Sequence, residues 1–146
     1  MFVQLSFDLL ALFGAAFVSA SLFPGGSEGI LVYLLAQHSP LLLLLIATIG
    51  NTLGSLTSYG LGRWFVAQRS LEQLVAPRHH YVLGWLQRYG SSALLLAWLP
   101  IVGDFLPLLA GWLRLPLLTS ILMIFIGKLL RYAIVVALAL ELSGRF

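Results

Sequence analysis

The sequence predicts an all-α membrane protein built as an inverted repeat, in which each half is a re-entrant helical hairpin followed by a transmembrane helix. Two observations lead to this prediction. Of the 146 residues, 60% are hydrophobic and only 9% are charged, whereas soluble domains carry about 25% charged residues. In addition, a helix-breaking stretch with a carboxylate four positions after a proline occurs in each half, at Pro24 and Glu28 and again at Pro100 and Asp104.

The composition excludes several classes of protein. The chain has no cysteine, which excludes disulfides and cysteine-based metal sites. The formal net charge is +3, but the basic residues are scattered and form no run typical of a nucleic-acid surface. We therefore expect no metal, no cofactor and no nucleic-acid partner.

The first half begins with an apolar helix over residues 3–22, which a stretch rich in proline and glycine then interrupts. The next apolar run, Ile30 to Ala36, rises only about 10 Å, roughly a third of the hydrocarbon core. Because this run is too short to cross, we expect the chain to enter and leave on the same side. The predicted tip of this first hairpin contains Pro24, Gly25 and Gly26.

The stretch from Leu41 to about Gly62 is long enough to span a membrane. Small residues recur along it every four positions, at Gly50, Gly54, Ser58 and Gly62. Such a strip lets another helix approach closely, and it suits a contact within the chain as well as one in a homo-oligomer. The alternative is that this helix lines a polar pathway, because it also carries Asn51, Thr52, Ser55 and Thr57.

Residues 63–80 are rich in arginine and contain one acidic residue, Glu72. Apolar residues such as Trp64 and Leu74 lie among them, which indicates an amphipathic connector at the membrane surface. His79 and His80 are adjacent and would point in different directions on a helix, so they do not predict a metal site. We therefore expect a single membrane domain, 1–146, made of half A (1–62), the connector (63–80) and half B (81–146).

The second half repeats this plan. An apolar arm over residues 81–99 leads to a second break, for which the predicted tip residues are Pro100, Gly103 and Pro107, and a short return ends near Arg114. Residues 117–142 then form a full span. Since each half crosses once, the halves enter from opposite faces, an arrangement common in transporters.

Four charged residues are predicted to lie at membrane depth: Glu28, Asp104, Lys128 and Arg131. Because such charges are costly, they are expected to pair or to serve a function. One interpretation is structural, with ion pairs that attach the hairpins to the last helix. In the other, Glu28 and Asp104 exchange a proton or cation, and Lys128 and Arg131 bind an anionic group of a substrate.

Enzymatic activity is not expected. The three histidines fall in predicted connectors, so no membrane-embedded histidine is available to activate a serine. Asp104 has no second intramembrane aspartate with which to form an aspartyl-protease pair.

Several motifs resemble the DedA family, the bacterial relatives of the SNARE-associated Golgi or VTT-domain proteins. The resemblance covers nearly the whole chain and rests on Phe23-Pro24-Gly25 with Glu28, Gly50-Asn51-x-x-Gly54, Tyr59-x-x-Gly62-Arg63, Tyr89-Gly90, Leu99-Pro100, Pro107-x-x-Ala110-Gly111 and Gly127-Lys128-x-x-Arg131-Tyr132. It implies opposed re-entrant hairpins and lipid movement across the bilayer, including recycling of a polyprenyl phosphate carrier with a dependence on protons. Glu28 matches the family's first important acid.

The sequence also departs from the family pattern. Trp98 and Gly103 stand where typical members carry arginines around the second proline, and Ser55 stands in place of a second acid. Lys128 and Arg131 are expected to substitute for those arginines.

We therefore expect a multi-pass protein of the bacterial inner membrane. Its partners would be membrane lipids, and its activity that of a transporter or a lipid flippase or scramblase for polyprenyl phosphate or a phospholipid, with proton coupling. The alternative is a protein that transports nothing and supports envelope integrity, in which the charges are structural.

Overall fold

A computed structural model describes residues 1–21, 26–65 and 80–144 of the chain. Within these ranges the protein is helical and contains no strand. Its elements are α1 (Phe2–Ser21), α2 (Ser27–Leu34), α3 (Pro40–Phe65), α4 (His80–Tyr89), a 3₁₀ segment (Gly90–Trp98), α5 (Val102–Trp112) and α6 (Leu117–Ser143).

Three of these helices, α1, α3 and α6, are long and apolar enough to cross a membrane. This confirms the all-α membrane class and the spans predicted over residues 41–62 and 117–142. At about 1.5 Å per residue, α2 and α5 rise much less than the thickness of the hydrocarbon core, about 30 Å. The sequence predicts that α1 is one arm of a re-entrant hairpin. With its 20 residues, this arm is as long as a helix that crosses the membrane.

In the first half, α1 packs along α3 and runs in the same direction. The helices come close because Gly50 and Gly54 have no side chain. A Cβ at Gly50 would lie only 2.7 Å from the carbonyl oxygen of Phe13, and a Cβ at Gly54 would overlap that of Phe17. The small-residue strip thus serves helix packing within the chain.

In the second half, the arm is not one continuous helix. The α-helix ends at Tyr89, Gly90 adopts a φ of 60°, and the chain continues as the 3₁₀ segment. Glycine adopts this left-handed conformation without the steric cost that a Cβ brings. The 3₁₀ segment then packs along α6, where a Cβ at Gly127 would lie 3.0 Å from the carbonyl oxygen of Leu95.

The two halves meet where α3 crosses α5. A Cβ at Gly62 would overlap the carbonyl oxygen of Leu108, and one at Gly111 would overlap that of Tyr59. Gly50, Gly54, Ser58 and Gly62 are all buried in the chain. A homo-oligomer would therefore have to use a different surface.

The turn between the 3₁₀ segment and α5 is shorter than the sequence predicts. It comprises Leu99, Pro100 and Ile101, and Gly103 already lies in the first turn of α5. The prediction that Pro107 lies at the tip is wrong, because Pro107 is buried inside α5. A proline within a membrane helix is tolerated where neighbouring helices surround it.

In the first break, Gly26 has a φ of 105° and directly precedes α2. The predicted tip residues Pro24 and Gly25 lie outside the described residues. So does most of the predicted connector, of which the structure describes residues 63–65 and residue 80.

Candidate functional site

The structure brings together the four charged residues that the sequence predicts at membrane depth. Glu28 and Asp104 lie in the first turns of α2 and α5, so each carboxylate is close to the start of a short helix. The N-terminus of a helix favours a negative charge. Lys128 and Arg131 lie one turn apart in α6. Lys128 contacts Asp104, and Arg131 contacts both carboxylates.

Arg131 connects the two halves of the protein. Its Nη1 lies 3.3 Å from Asp104 Oδ1 and 3.4 Å from Asp104 Oδ2, and its Nη2 donates to Glu28 Oε1. Lys128 Nζ lies 2.5 Å from Asp104 Oδ1. The guanidinium group of Arg131 thus bridges Glu28 of half A and Asp104 of half B. The ammonium group of Lys128 binds Asp104.

The four charged side chains differ in their exposure to the surroundings. Lys128 and Asp104 have side chains that are 0% and 6% exposed, whereas the Glu28 side chain is 24% exposed. The sequence grouped the two acids for proton exchange and the two bases for anion binding. In the structure each acid contacts a base: Lys128 and Asp104 are sealed, Glu28 and Arg131 reach a cavity, and Arg131 contacts Asp104 as well. The proposed roles of all four residues stay predictions.

A line of hydrogen bonds leads from α3 to Glu28. Asn51 Nδ2 donates to the hydroxyl of Tyr132, which lies 2.8 Å from Ser27 Oγ. Ser27 Oγ donates to Glu28 Oε2 at 3.4 Å. Sequence reasoning did not assign these neutral residues to the charge cluster, although the position of Tyr132 directly after Arg131 offered a signal.

A cavity of about 380 Å³ opens beside the exposed pair. It is lined by Glu28, Trp98, Pro100, Arg131, Ile134 and Val135. Among the described residues that line it, Glu28 and Arg131 carry the charge and the others are apolar. Trp98 and Ile134 are 37% and 39% exposed, so the walls continue onto the outer surface. The arrangement can hold an anionic group at one end and hydrocarbon along the rest.

A hydrogen bond outside the charge cluster lies near the start of α1. His38 Nε2, in the loop between α2 and α3, lies 3.0 Å from Asp8 Oδ2. The sequence gave no indication of this contact, because it depends on how α1 and the loop pack.

Residues 9–140 match the model of the VTT domain. The chain belongs to the VTT-domain, or DedA, family. The resemblance that the sequence motifs indicated is thereby confirmed. The inner membrane protein YqaA of Escherichia coli is 43% identical over 136 residues, covering 92% of each chain, and the Shigella flexneri protein of the same name matches equally.

An uncharacterised protein of Haemophilus influenzae is 45% identical over 137 residues, covering 86% of this chain and 83% of that relative. No solved structure shows a significant match to this VTT-domain chain. The names of the relatives and the three spanning helices agree with the predicted location. The protein is a multi-pass protein of the inner membrane.

Proposed function

We propose that this protein moves a phosphate-bearing lipid between the two leaflets of the membrane. The observation that carries the proposal is the cavity beside Glu28 and Arg131, which has one charged end and apolar walls. A lipid with an anionic headgroup likewise has one charged end and apolar chains. The exposed walls at Trp98 and Ile134 would let the acyl or prenyl chains remain in the bilayer.

Arg131 is the proposed binding residue for the headgroup. Its guanidinium carries five N–H donors and binds phosphate bidentately, which an ammonium group cannot do. Lys128 is fully buried against Asp104, so its proposed role is to hold Asp104 in place.

Glu28 is the proposed coupling residue, because it competes with the substrate for Arg131. While ionised, its carboxylate occupies Arg131 Nη2. Protonation of Glu28 would remove this charge and release Nη2 for a phosphate group, while Nη1 stays with Asp104. Such an exchange would make transport dependent on protons.

The packing of the two halves supports the finer architecture, an inverted repeat with two re-entrant hairpins. In each half an arm packs against the spanning helix at glycines, Gly50 and Gly54 in half A and Gly127 in half B. In each half a short helix, α2 or α5, follows the arm and begins with the carboxylate that Arg131 binds. We propose that the two hairpins open the cavity alternately to the two leaflets.

A second candidate is a protein that transports nothing and supports envelope integrity. The sealed pair of Lys128 and Asp104 favours it, because this pair joins α6 to α5 and neither residue lines the cavity. In that case the pair of Glu28 and Arg131 would serve the same structural purpose.

The test is reconstitution into liposomes, with transfer of a fluorescent phospholipid and of polyprenyl phosphate measured with and without a pH gradient. Arg131→Gln is expected to slow transfer by at least about tenfold, equivalent to about 1.4 kcal/mol in the barrier. Glu28→Gln is expected to abolish the effect of the gradient. Arg88→Gln is the matched control, because Arg88 is exposed and lies over the ring of Tyr89.

Transfer by the wild-type protein no faster than in empty liposomes would favour the second candidate. Full transfer by Arg131→Gln would exclude Arg131 as the headgroup site. An unchanged pH dependence in Glu28→Gln would exclude Glu28 as the coupling residue.

A further inference from the structure

Two exposed arginines lie where the end of α3 meets the turn between α5 and α6. Arg63 Nη1 donates to the hydroxyl of Tyr59 at 3.3 Å, and this hydroxyl donates to the carbonyl oxygen of Leu115. Leu115 directly follows Arg114, the second arginine. Tyr59 therefore ties the guanidinium of Arg63 to the turn that carries Arg114, and we call Tyr59, Arg63 and Arg114 the arginine corner.

The base of the arginine corner is rigid. Tyr59 is only 3% exposed and belongs to a core cluster with Leu106 and Leu109 of α5. A Cβ at Gly111 would overlap the backbone of Tyr59, so α3 and α5 are in direct backbone contact there. The backbone positions of the two arginines are thus fixed by buried parts of the chain, although both side chains reach the surface.

Arg114 adopts a backbone conformation in which glycine is the usual residue. Its φ is 53°, its amide donates to the carbonyl oxygen of Gly111 at 3.1 Å, and the amide of Leu115 donates to that of Ala110 at 3.0 Å. These two bonds form the Schellman motif that ends many helices, and the left-handed position in it is most often glycine. An arginine there strains the backbone, and strain of this kind is a reason to seek a function for the side chain.

Aromatic side chains place the arginine corner at the level of the lipid headgroups. Trp64, which follows Arg63 at the end of the spanning helix α3, is 58% exposed. On α4, which contributes to the same core cluster, Tyr81 and Trp85 are more than half exposed. Trp and Tyr collect at the interface between membrane and water. The surroundings that the two arginines meet are therefore lipid headgroups.

The described acids outside the charge cluster lie away from the arginine corner. Asp8 lies near the start of α1, which runs in the same direction as α3, and Glu141 lies near the end of α6. Both are toward the opposite face of the membrane. An excess of arginine marks the cytoplasmic face, where anionic lipids make the membrane surface negative. The charge of the corner is thus complementary to that of the bilayer surface beside it.

We propose that the arginine corner binds the headgroup of an anionic phospholipid of the surrounding bilayer. Arg63 uses one of its five N–H donors for Tyr59, and the planar guanidinium has others with which to bind phosphate oxygens. Arg114 adds a second guanidinium from the adjoining turn. Basic pockets between spanning helices at the cytoplasmic side bind anionic headgroups.

The site is separate from the cavity at Arg131 and does not rest on the proposed function. A lipid bound here would not have to cross the membrane. It would join the end of α3 to the end of α5, the contact through which the two halves meet.

Affinity for phosphatidylglycerol tests the site, measured by native mass spectrometry on the purified protein in neutral detergent. Phosphatidylcholine, a zwitterionic lipid with the same chains, is the reference, and the headgroup preference is the ratio of the two dissociation constants. We call Arg63→Gln and Arg114→Gly the corner variants. Each is expected to lower the preference about fivefold, the contribution of one arginine near a membrane surface.

Arg114→Gly separates lipid binding from a structural role. Because glycine relieves the backbone strain, the thermal unfolding midpoint in neutral detergent without lipid is expected to equal or exceed that of the wild type. A cation at the C-terminal end of a helix also interacts favourably with the helix dipole. If this were the whole role of Arg114, the midpoint would fall and the headgroup preference would not change, which would overturn the proposal for Arg114.

Two further variants separate the geometry of the corner from net charge. Tyr59→Phe keeps both arginines but removes the hydroxyl that positions Arg63, so the headgroup preference is expected to fall although no charge is lost. Arg88→Gln is the matched control, because it removes an exposed arginine that lies over the ring of Tyr89. It is expected to keep a preference close to that of the wild type.

An unchanged preference in both corner variants would overturn the proposal, and so would an equal loss in Arg88→Gln. Displacement of phosphatidylglycerol by millimolar inorganic phosphate would assign the corner to a soluble phosphate instead of a lipid. Phosphatidylglycerol that is lost in Arg131→Gln and kept in the corner variants would belong to the cavity, which also contradicts the proposal. None of these measurements uses lipid transfer, so a protein that transports nothing can still bind lipid at the corner.

Discussion

Lys128 Nζ lies 2.5 Å from Asp104 Oδ1, and neither side chain is more than 6% exposed. This ion pair joins the last spanning helix to the first turn of α5 and is isolated from the cavity. Asp104 also forms an ion pair with Arg131. Among the described residues, Lys128 forms an ion pair with Asp104 alone. The two members of the pair therefore differ in what remains when the other is removed.

This asymmetry predicts that Asp104→Asn is more destabilising than Lys128→Met. Breaking a buried ion pair by removal of one partner costs about 3–5 kcal/mol. We expect Asp104→Asn near the upper end, because it leaves the Lys128 charge uncompensated, and Lys128→Met near the lower end, because Asp104 keeps Arg131. Equilibrium unfolding in detergent micelles measures both changes.

The double variant Asp104→Asn/Lys128→Met is the control for this ranking. Since it removes both charges, its loss is expected to be smaller than the sum of the single losses. Additive losses, or a greater loss for Lys128→Met than for Asp104→Asn, would contradict the assignment of Asp104 as the shared partner.

Tyr132→Phe is expected to reduce the free energy of unfolding by about 1–3 kcal/mol, the cost of leaving buried polar groups unpaired. The ring of Tyr132 would keep its packing, but Ser27 Oγ and Asn51 Nδ2 would lose the hydroxyl that joins them. Chemical unfolding of the purified protein measures the change. Tyr33→Phe is the matched control, because Tyr33 is 70% exposed, and an equal loss in both variants would reject the line of hydrogen bonds.

Much of the fold could be predicted from hydrophobic length and from helix breakers. The spans α3 and α6 follow from apolar runs of sufficient length, and the positions of Glu28 and Asp104 in first turns follow from the glycines and prolines before them. The contacts among the charged residues at membrane depth could also be expected, because isolated charges there are costly.

The remaining features depend on packing that one sequence does not record. Which base meets which acid is decided by the rotation of α6 against α2 and α5, so the sequence grouped Lys128 with Arg131 by their shared face. Uncharged residues such as Asn51 and Tyr132 cost less to bury than charged ones, so they give a weaker signal that they need partners. The helical course of the chain through Pro107 likewise depends on the helices around it.

Gly62→Ala is expected to destabilise the protein by about 1–3 kcal/mol, the usual cost of overpacking. The new Cβ would overlap the carbonyl oxygen of Leu108 and lie 3.0 Å from the backbone nitrogen of Trp112, which forces α3 and α5 apart. Thermal unfolding in detergent measures the loss.

Gly60→Ala is the matched control in the same helix, because a Cβ at Gly60 meets nothing within 4 Å. Alanine is the better helix former by about 1 kcal/mol, so this variant is expected to be at least as stable as the wild type. Equal losses at the two positions would show that helix propensity, rather than the contact between α3 and α5, decides the outcome.

Ile101→Gly is expected to stabilise the protein by about 1 kcal/mol, within the range of backbone strain at such positions. Ile101 has a φ of 68° and a ψ of −65°, and the amide of Val102 donates to the carbonyl oxygen of Pro100 at 2.8 Å. This is a γ-turn of the rare, strained type, and glycine would adopt it without the penalty of a β-branched side chain. Since Ile101 is 60% exposed, the substitution sacrifices little burial. Ile101→Ala keeps a Cβ and should gain less than Ile101→Gly in the unfolding midpoint, so an equal gain in both variants would place the effect in the side chain rather than in the backbone.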